Sequence, residues 1–407
     1  MNALPENWEH QVLSDLVDKE RGICYGIVQP GSHAANGVPV IRVNNIKFGR
    51  IETGDALRVS SDIEAKYRRS RLRGGEVLLT LVGSLGESAV VPTELAGWNV
   101  ARAVGVIPVR TEIGSRWVEL CLRSSLSQNF IGTRATTTVQ ATFNLRDLAN
   151  IPIPLPPKKE RDAIASVLGA LDDKIELNRR MNETMEALAQ SLFKSWFVDA
   201  TQSALPKGWR EVPFTETVEI IGGGTPKTSV AEYWSGDIPW FSVVDAPQGS
   251  DLFVIDTEKK ITQAGVDNSS TQVLPIGTTI ISARGTVGKV ALVGVPMAMN
   301  QSCYGLRGKA GTKGFHSYFV TRALVSQLQQ HAHGSVFDTI TRDTLAGVQV
   351  TLPLAAVVEQ FEEKVSPLME RIRNNLLESR TLAALRDALL PKLLSGELRV
   401  PIQKGNT

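Results

Sequence analysis

Leu4-Pro5-Glu6-Asn7-Trp8 returns later in the chain as Leu205-Pro206-Lys207-Gly208-Trp209. Three more blocks follow in the same order. Gly37-Val38-Pro39-Val40-Ile41 matches Asp237-Ile238-Pro239-Trp240-Phe241, and Gly75-Glu76-Val77-Leu78-Leu79 with Gly83 and Gly86 matches Gly277-Thr278-Thr279-Ile280-Ile281 with Gly285 and Gly288. Ile151-Pro152-Ile153-Pro154-Leu155-Pro156 matches Val348-Gln349-Val350-Thr351-Leu352-Pro353. The offsets are 201, 200, 202 and 197. Four blocks in one order with so small a drift mark a duplicated unit with loop insertions between its blocks.

Each copy has two parts. The first is built of short β-type runs broken by Gly and Pro, such as Glu76-Val77-Leu78-Leu79-Thr80 and Val290-Ala291-Leu292-Val293, which predicts a mostly-β mixed domain. Gly83-Ser84-Leu85-Gly86 and Gly285-Thr286-Val287-Gly288 read as tight strand connections. In the second part Ile164, Leu168, Leu171, Ile175, Asn178, Asn182, Met185, Ala189 and Leu192 recur at alternating spacings of 4 and 3. So do Phe361, Val365, Leu368, Ile372, Asn375, Ser379, Leu382, Arg386 and Leu389. That is the seam of a coiled coil. Pro367 and Pro391 weaken the second helix locally. Asn178 and Asn375 are either register-fixing seam residues or residues at an exposed edge.

The predicted fold is α+β: two similar mostly-β mixed domains joined by two long antiparallel coiled-coil helices in a pseudo-twofold repeat. The predicted segments are 1–150, 151–200, 201–350 and 351–407.

The 407 residues carry Lys+Arg 44 against Asp+Glu 42, a net charge of +2, with 42% hydrophobic and 21% charged residues. Such a chain buries real cores and is not disordered. No apolar run reaches a membrane span of about 18 to 20 residues, and Met1-Asn2-Ala3-Leu4-Pro5-Glu6 does not read as a secretory signal. Cys24, Cys121 and Cys303 offer neither a disulfide framework nor zinc spacing and suit a reducing cytoplasm. By bulk electrostatics the chain is not an obvious nucleic-acid binder.

No enzyme constellation stands out. In Gly222-Gly223-Gly224-Thr225-Pro226-Lys227-Thr228, Pro226 occupies the place of the glycine that a phosphate loop needs before its lysine. Gly285-Thr286-Val287-Gly288-Lys289 lacks both the spacing and the following Ser/Thr. Asp251 or Asp256 with Glu258-Lys259-Lys260 makes at most a chance acid–lysine triplet. His331 and His333 lack the Cys or acidic neighbours of a metal site. No catalytic residue, metal ligand or cofactor site is therefore expected.

A recognition role fits better. Paired domains on a rigid spacer suit DNA half-sites about 34 Å apart. Lys66, Arg68, Arg69, Arg71 and Arg73 crowd around Tyr67, as phosphate-contacting residues do; the competing reading is a solvated strand or loop face. The polar runs Arg134-Ala135-Thr136-Thr137-Thr138-Val139-Gln140 and His333-Gly334-Ser335-Val336-Phe337-Asp338-Thr339 suit base edges, or ordinary loop capping.

The chain resembles the DNA-specificity subunit of type I restriction–modification systems. The resemblance is carried by Tyr25-Gly26-Ile27-Val28-Gln29-Pro30-Gly31, Gly223-Gly224-Thr225-Pro226, Tyr233-Trp234-Ser235-Gly236-Asp237-Ile238-Pro239-Trp240, Ile151-Pro152-Ile153-Pro154-Leu155-Pro156-Pro157 and Leu389-Leu390-Pro391-Lys392-Leu393-Leu394-Ser395-Gly396-Glu397-Leu398 on the two-copy frame. It implies target-recognition domains that each read half of a bipartite sequence in double-stranded DNA, and helical spacers that set the gap. It also implies a subunit without catalysis of its own. Its partners would be two adenine-methyltransferase subunits using S-adenosylmethionine and restriction subunits using ATP and Mg2+. The first copy has Val28-Gln29-Pro30-Gly31 in place of Gly-Gly-Thr-Pro, so the two domains are expected to read different half-sequences.

The resemblance carries over no base-reading residues. Side-chain chemistry nominates Lys47, Lys66, Arg68, Arg69, Arg71, Arg73, Arg134, Thr137, Gln140, Lys227, Arg284, Lys289, Gln301 and Arg342. Partner contacts are expected around Phe193, Trp196, Phe197, Leu390, Leu393 and Leu394, against the competing reading that these pack on the globular domains. The other functional classes are a recognition chain with its own nuclease, as in type IIB-like enzymes, and an interaction scaffold. The small net charge implies weak DNA binding by the chain alone.

Overall fold

The structure, a computed structural model, describes residues 5–47, 49–137, 141–247, 251–312, 314–332 and 339–401. The chain divides into two compact units, residues 1–173 with 382–407, and residues 174–381. The boundaries between the units, after residues 173 and 381, fall inside the predicted helical segments 151–200 and 351–407.

In the first unit β1 (Glu9–Val12) pairs antiparallel with β8 (Pro152–Leu155). The main sheet is antiparallel, in the order β2 (Cys24–Tyr25), β5 (Val104–Ile107), β3 (Val77–Thr80), β4 (Ser88–Val90). Val77, Leu78, Leu79 and Thr80 are all buried, so this strand is covered on both faces. A small sheet of Leu57–Val59, Val38–Ile41 and Asn99–Val100 lies next to it in the chain order. Helices α1 (Ser115–Arg123) and α2 (Ser125–Arg134) precede a hairpin of β6 (Thr136–Thr137) and β7 (Ala141–Thr142). The long helix α3 (Lys158–Phe193) starts after Pro157.

The second unit repeats this topology. β9 (Arg210–Pro213) pairs with β15 (Gln349–Leu352). The main sheet runs β10 (Val218–Gly222), β14 (Cys303–Gly308), β12 (Thr279–Ser282), β13 (Val290–Val293), with β11 (Phe253–Val254) added in parallel at the edge. Its small sheet is Lys260–Ile261, Trp234–Phe241 and Ala298–Met299. Helix α4 is His316–Ala332 and α5 is Ala355–Leu394. Helix α5 runs through both prolines because Pro367 and Pro391 are exposed. Each costs a hydrogen bond on the outer face, while Val365 and Met369, flanking Pro367, are buried on the other side.

Seam residues bury these helices in both units. In the first, Ile164 and Leu168 join Trp8, Trp117, Leu390, Leu393 and Leu394 in one core. Trp117 donates its indole N–H to Pro154 O at 3.0 Å. In the second, Ala189, Phe193 and Phe197 join Phe319, Phe361, Val365, Met369 and Ile372. The six aromatic and leucine residues expected to bind partners therefore serve packing: Phe193, Phe197, Leu390, Leu393 and Leu394 are buried and Trp196 is partly so. The physical reason is that the helix ends turn their apolar face inward, beside the terminal strands, where burying a large side chain gains about 1.5–3 kcal/mol.

Asn178 and Asn375 are seam residues, 0% and 1% exposed. Asn178 donates to Glu378 Oε2 at 2.8 Å and to Ser379 Oγ at 3.2 Å, and accepts from Lys174 Nζ at 3.0 Å. Asn375 donates to Asn182 Oδ1 at 2.8 Å. Contacts descend in α5 as they rise in α3, so the segments pack antiparallel within the unit. Asn375→Leu strands the buried Asn182 oxygen and is expected to cost about 1–3 kcal/mol, read as a lower thermal midpoint. Adding Asn182→Leu should recover most of the loss.

Candidate nucleic-acid interface

One end of each main sheet gathers a set of loops, which in the second unit carry the nominated Lys227, Arg284, Lys289 and Gln301. In the second unit Gly222 at the end of β10 lies opposite Tyr304, and Ser282 at the end of β12 lies opposite Cys303. Val290 at the start of β13 lies opposite Ile281. The loops 223–233, 283–289 and 300–302 therefore leave from the same end. In the first unit Tyr25 lies opposite Gly105, Thr80 opposite Val104 and Ser88 opposite Leu79, so residues 26–37, 81–87 and 101–103 do the same.

The backbone ties these loops together identically in both units. Leu81 N donates to Ala103 O and Ala283 N to Ser302 O, each at 2.8 Å. Ile27 N donates to Val100 O at 2.7 Å and Gly224 N to Met299 O at 3.0 Å. A side chain on Gly26 or Gly223 would place Cβ 1.9 Å from the carbonyl oxygen of Val100 or Asn300, so only glycine permits this approach. In the turns, Gly83, Gly86, Gly285 and Gly288 take φ of 79°, 84°, 75° and 86°, a region glycine enters freely. The amides of Gln128 and Gln329 brace the two turns, donating at 3.0 Å to Gly86 O and Val287 O.

The segments that follow the domain helices come to the same end. Val82 bridges Thr142, and Arg284 bridges Thr339. Arg342 then donates to Ile220 O of β10 at 3.3 Å. Lys227, Arg284, Lys289, Gln301 and Arg342 are all exposed on these loops. Gln301 accepts a hydrogen bond from the Thr225 hydroxyl. Arg134 ends α2 with its guanidinium 3.7 Å from the Phe130 ring centroid. Thr137 lies in β6, but its side chain, Gln140 and residues 333–338 lie outside the described residues.

The basic cluster splits. It occupies a short helical segment, Ala65–Ser70, and the residues after it. Tyr67 packs with Ile27 and Ala101, beside the loop end. Arg69 and Arg71, however, are committed to the fold. Arg69 Nε donates to Arg21 O at 2.6 Å, and Arg71 Nε donates to the buried Glu64 at 2.7 Å. That hydrogen bond is the main cause holding the Glu64 carboxyl below its ordinary range. Lys66, Arg68 and Arg73 are exposed, with no side-chain partner among the described residues. Lys47 stands apart, on a hairpin strand Ile46–Lys47 that contacts edge strand β4, with Glu52 at 3.6 Å.

One residue at the loop end escaped the sequence reading. Ala101 N donates to Ile41 O and Asn300 N to Phe241 O, both at 2.9 Å. Arg102 therefore occupies in the first unit the place of Gln301 in the second. It is exposed. The sequence offsets of 202 before it and 197 after it bracket this register without fixing it; the matched hydrogen bonds of Ala101 and Asn300 set it at 199.

Among the described residues no group of three or more His, Cys, Asp or Glu gathers to hold a metal, and no helix is long and apolar enough to cross a membrane.

The sequence profile described as "Type I restriction modification DNA specificity domain" matches residues 5–187 and again 206–378. The chain belongs to this family. A relative, the type I restriction enzyme EcoBI specificity subunit of Escherichia coli, is 30% identical over 233 residues, covering 56% of this chain and 48% of the relative. The chain thus spans about half the length of that specificity subunit. Another, the type I restriction enzyme MjaIX specificity subunit of Methanocaldococcus jannaschii, is 26% identical over 343 residues, 80% of this chain and 78% of the relative. The crystal structure of the type I restriction–modification S subunit from M. genitalium shares the fold, with a TM-score of 0.64 at 15% identity over 97% of both chains. The doubled specificity domain found by the profile coincides with the repeat read from the sequence.

Proposed function

We propose that this specificity-family chain reads a bipartite sequence in double-stranded DNA. Each unit takes one half-sequence at its loop end, and α3 with α5 sets the gap. The observation that supports this most is the duplication: the same loop scaffold occurs twice and carries different side chains at equivalent places. Each long helix also begins in one unit and ends in the other, since α3 crosses residue 173 and α5 crosses residue 381. In this proposal the chain has no catalysis of its own. It directs two adenine-methyltransferase subunits and ATP-dependent restriction subunits in the cytoplasm, and S-adenosylmethionine, ATP and Mg2+ belong to those partners.

Exposed Lys227, Arg284 and Lys289, without ion pairs among the described residues, would supply phosphate contacts. Each such contact steepens the salt dependence of binding. Selection from random duplexes by the full chain with modification subunits is expected to return a two-part sequence with a fixed gap. Uniform affinity for all duplexes at moderate salt overturns the proposal. Seven matched residues inserted after Asn178 and again after Asn375 extend each helix by about 10 Å at about 1.5 Å per residue. The selected gap should then grow by about three base pairs at 3.4 Å each; an unchanged gap overturns the spacer role.

A further inference from the structure

We propose that Arg102 in the first unit and Gln301 in the second hold one equivalent base-reading position, Arg102 selecting guanine and Gln301 adenine. This rests on the DNA-reading proposal above and assigns it a residue in each half.

Arg102 N donates to Ile27 O at 2.8 Å, immediately after Ala101 N donates to Ile41 O at 2.9 Å. The root of the side chain is therefore fixed between the loop that follows β2 and the end of strand Val38–Ile41, while its guanidinium is exposed and has no side-chain hydrogen bond or ion pair among the described residues. An arginine held at its backbone and free at its head is suited to a bidentate contact, because little backbone order remains to be lost on binding. Arg69 and Arg71 of the same unit differ, since their heads already bond within the fold.

Gln301 sits on the equivalent turn, closed by Ser302 N donating to Asn300 Oδ1 at 3.0 Å and by Ala283 N donating to Ser302 O at 2.8 Å. Its carboxamide is not free to spin. The Thr225 hydroxyl donates to Gln301 Oε1, which restricts rotation of the amide and leaves the second lone pair of Oε1 and both N–H groups without a partner among the described residues. An oriented carboxamide offers one donor and one acceptor side by side, the pattern that adenine N7 and N6 complement in the major groove. A guanidinium offers two donors, the pattern for guanine O6 and N7. Thr225 is a positioning residue in this scheme.

The test selects duplexes with the full chain in its modification-subunit assembly, comparing wild type, Gln301→Arg, Arg102→Gln and Thr225→Val. Gln301→Arg is expected to change one adenine of one half-sequence to guanine, by about tenfold or more, the discrimination that one bidentate pair supplies. Arg102→Gln should change one guanine to adenine in the other half, and Thr225→Val should blunt only the preference set by Gln301. Since all three side chains are exposed, the thermal midpoint should hold in each variant. Unaltered base preferences, or a uniform loss of affinity across all sequences, overturn the assignment while leaving the DNA-reading proposal standing. A wild-type chain that selects no two-part sequence overturns both.

Discussion

Phe361→Ala is expected to lower the stability of the second unit by about 3–5 kcal/mol, the range for emptying a buried aromatic site. Phe361 is 0% exposed. Its ring centroid lies 5.1 Å from that of Phe197, 6.0 Å from Phe319 and 6.1 Å from Phe193. Those rings arrive from α4, from the end of α3 and from the helical turn Lys194–Val198 that follows it, so the cavity would open where several elements meet and none can collapse alone. A unit of this size loses roughly 2–4 °C of thermal midpoint per kcal/mol, so calorimetry should show a drop on the order of 10 °C. Leu385→Ala, on a side chain 47% exposed, should leave the midpoint nearly unchanged. A small effect at Phe361 would mean that the helix ends do not anchor the core as described.

The two units are expected to answer pH in opposite directions. In the second, burial pushes the His316 imidazole down to about 4; its Nδ1 is buried without a partner and its ring lies 4.6 Å from Phe197. A depressed folded value means that this contribution is intact above the unfolded value near 6.5 and is lost as pH falls toward 4, by about 3 kcal/mol in full. In the first unit, burial pushes Glu119 up to about 7, against the pull of Arg123. A raised carboxyl contributes fully below its unfolded value of about 4.5, and that contribution is lost as pH rises through 7, again by about 3 kcal/mol. Burial also works to raise neighbouring Asp172, but Arg123 and Arg386, each at 2.8 Å, outweigh it and hold the carboxyl low. Unfolding followed from about pH 4 to about pH 8 should show His316→Leu flattening only the limb that falls toward acid, and Glu119→Gln only the limb that falls as pH rises from about 4.5 to about 7. Either variant moving both limbs would contradict the assignment.

The near-zero net charge has a structural explanation. Along α3, Lys158 pairs with Asp162, Arg179 with Glu176 and Glu183, and Arg180 with Glu176. Such i,i+3 and i,i+4 pairs neutralise the helix surface. The exposed cations at the loop ends, Lys227, Arg284 and Lys289, have no such partners among the described residues. An average over the chain hides this division.

The repeat, the seam of Ile164 to Leu192 and the glycine turns were legible in the sequence because their determinants are local: a period, a β-run, a residue able to take positive φ. The fate of individual side chains was not. Leu390, Leu393 and Leu394 read equally well as a docking face or as core, since periodicity gives a helix an apolar face without saying what covers it. Arg69 and Arg71 looked like Lys66 and Arg68 until Arg21 and Glu64 were brought beside them. Arg102 drew no notice, because an isolated arginine has no motif.

By itself, then, the sequence determined that this protein is one unit written twice, with β-rich domains and long helices in alternation. Spacing and turn chemistry act within a few residues and survive in the linear text. Only the tertiary structure decided which cations are free, which asparagines lie in the seam, and that Arg102 answers Gln301. Those depend on strands far apart in the chain converging at one sheet end, and the hydrogen bonds between Leu81 and Ala103 and between Ala283 and Ser302 exist only once it has folded.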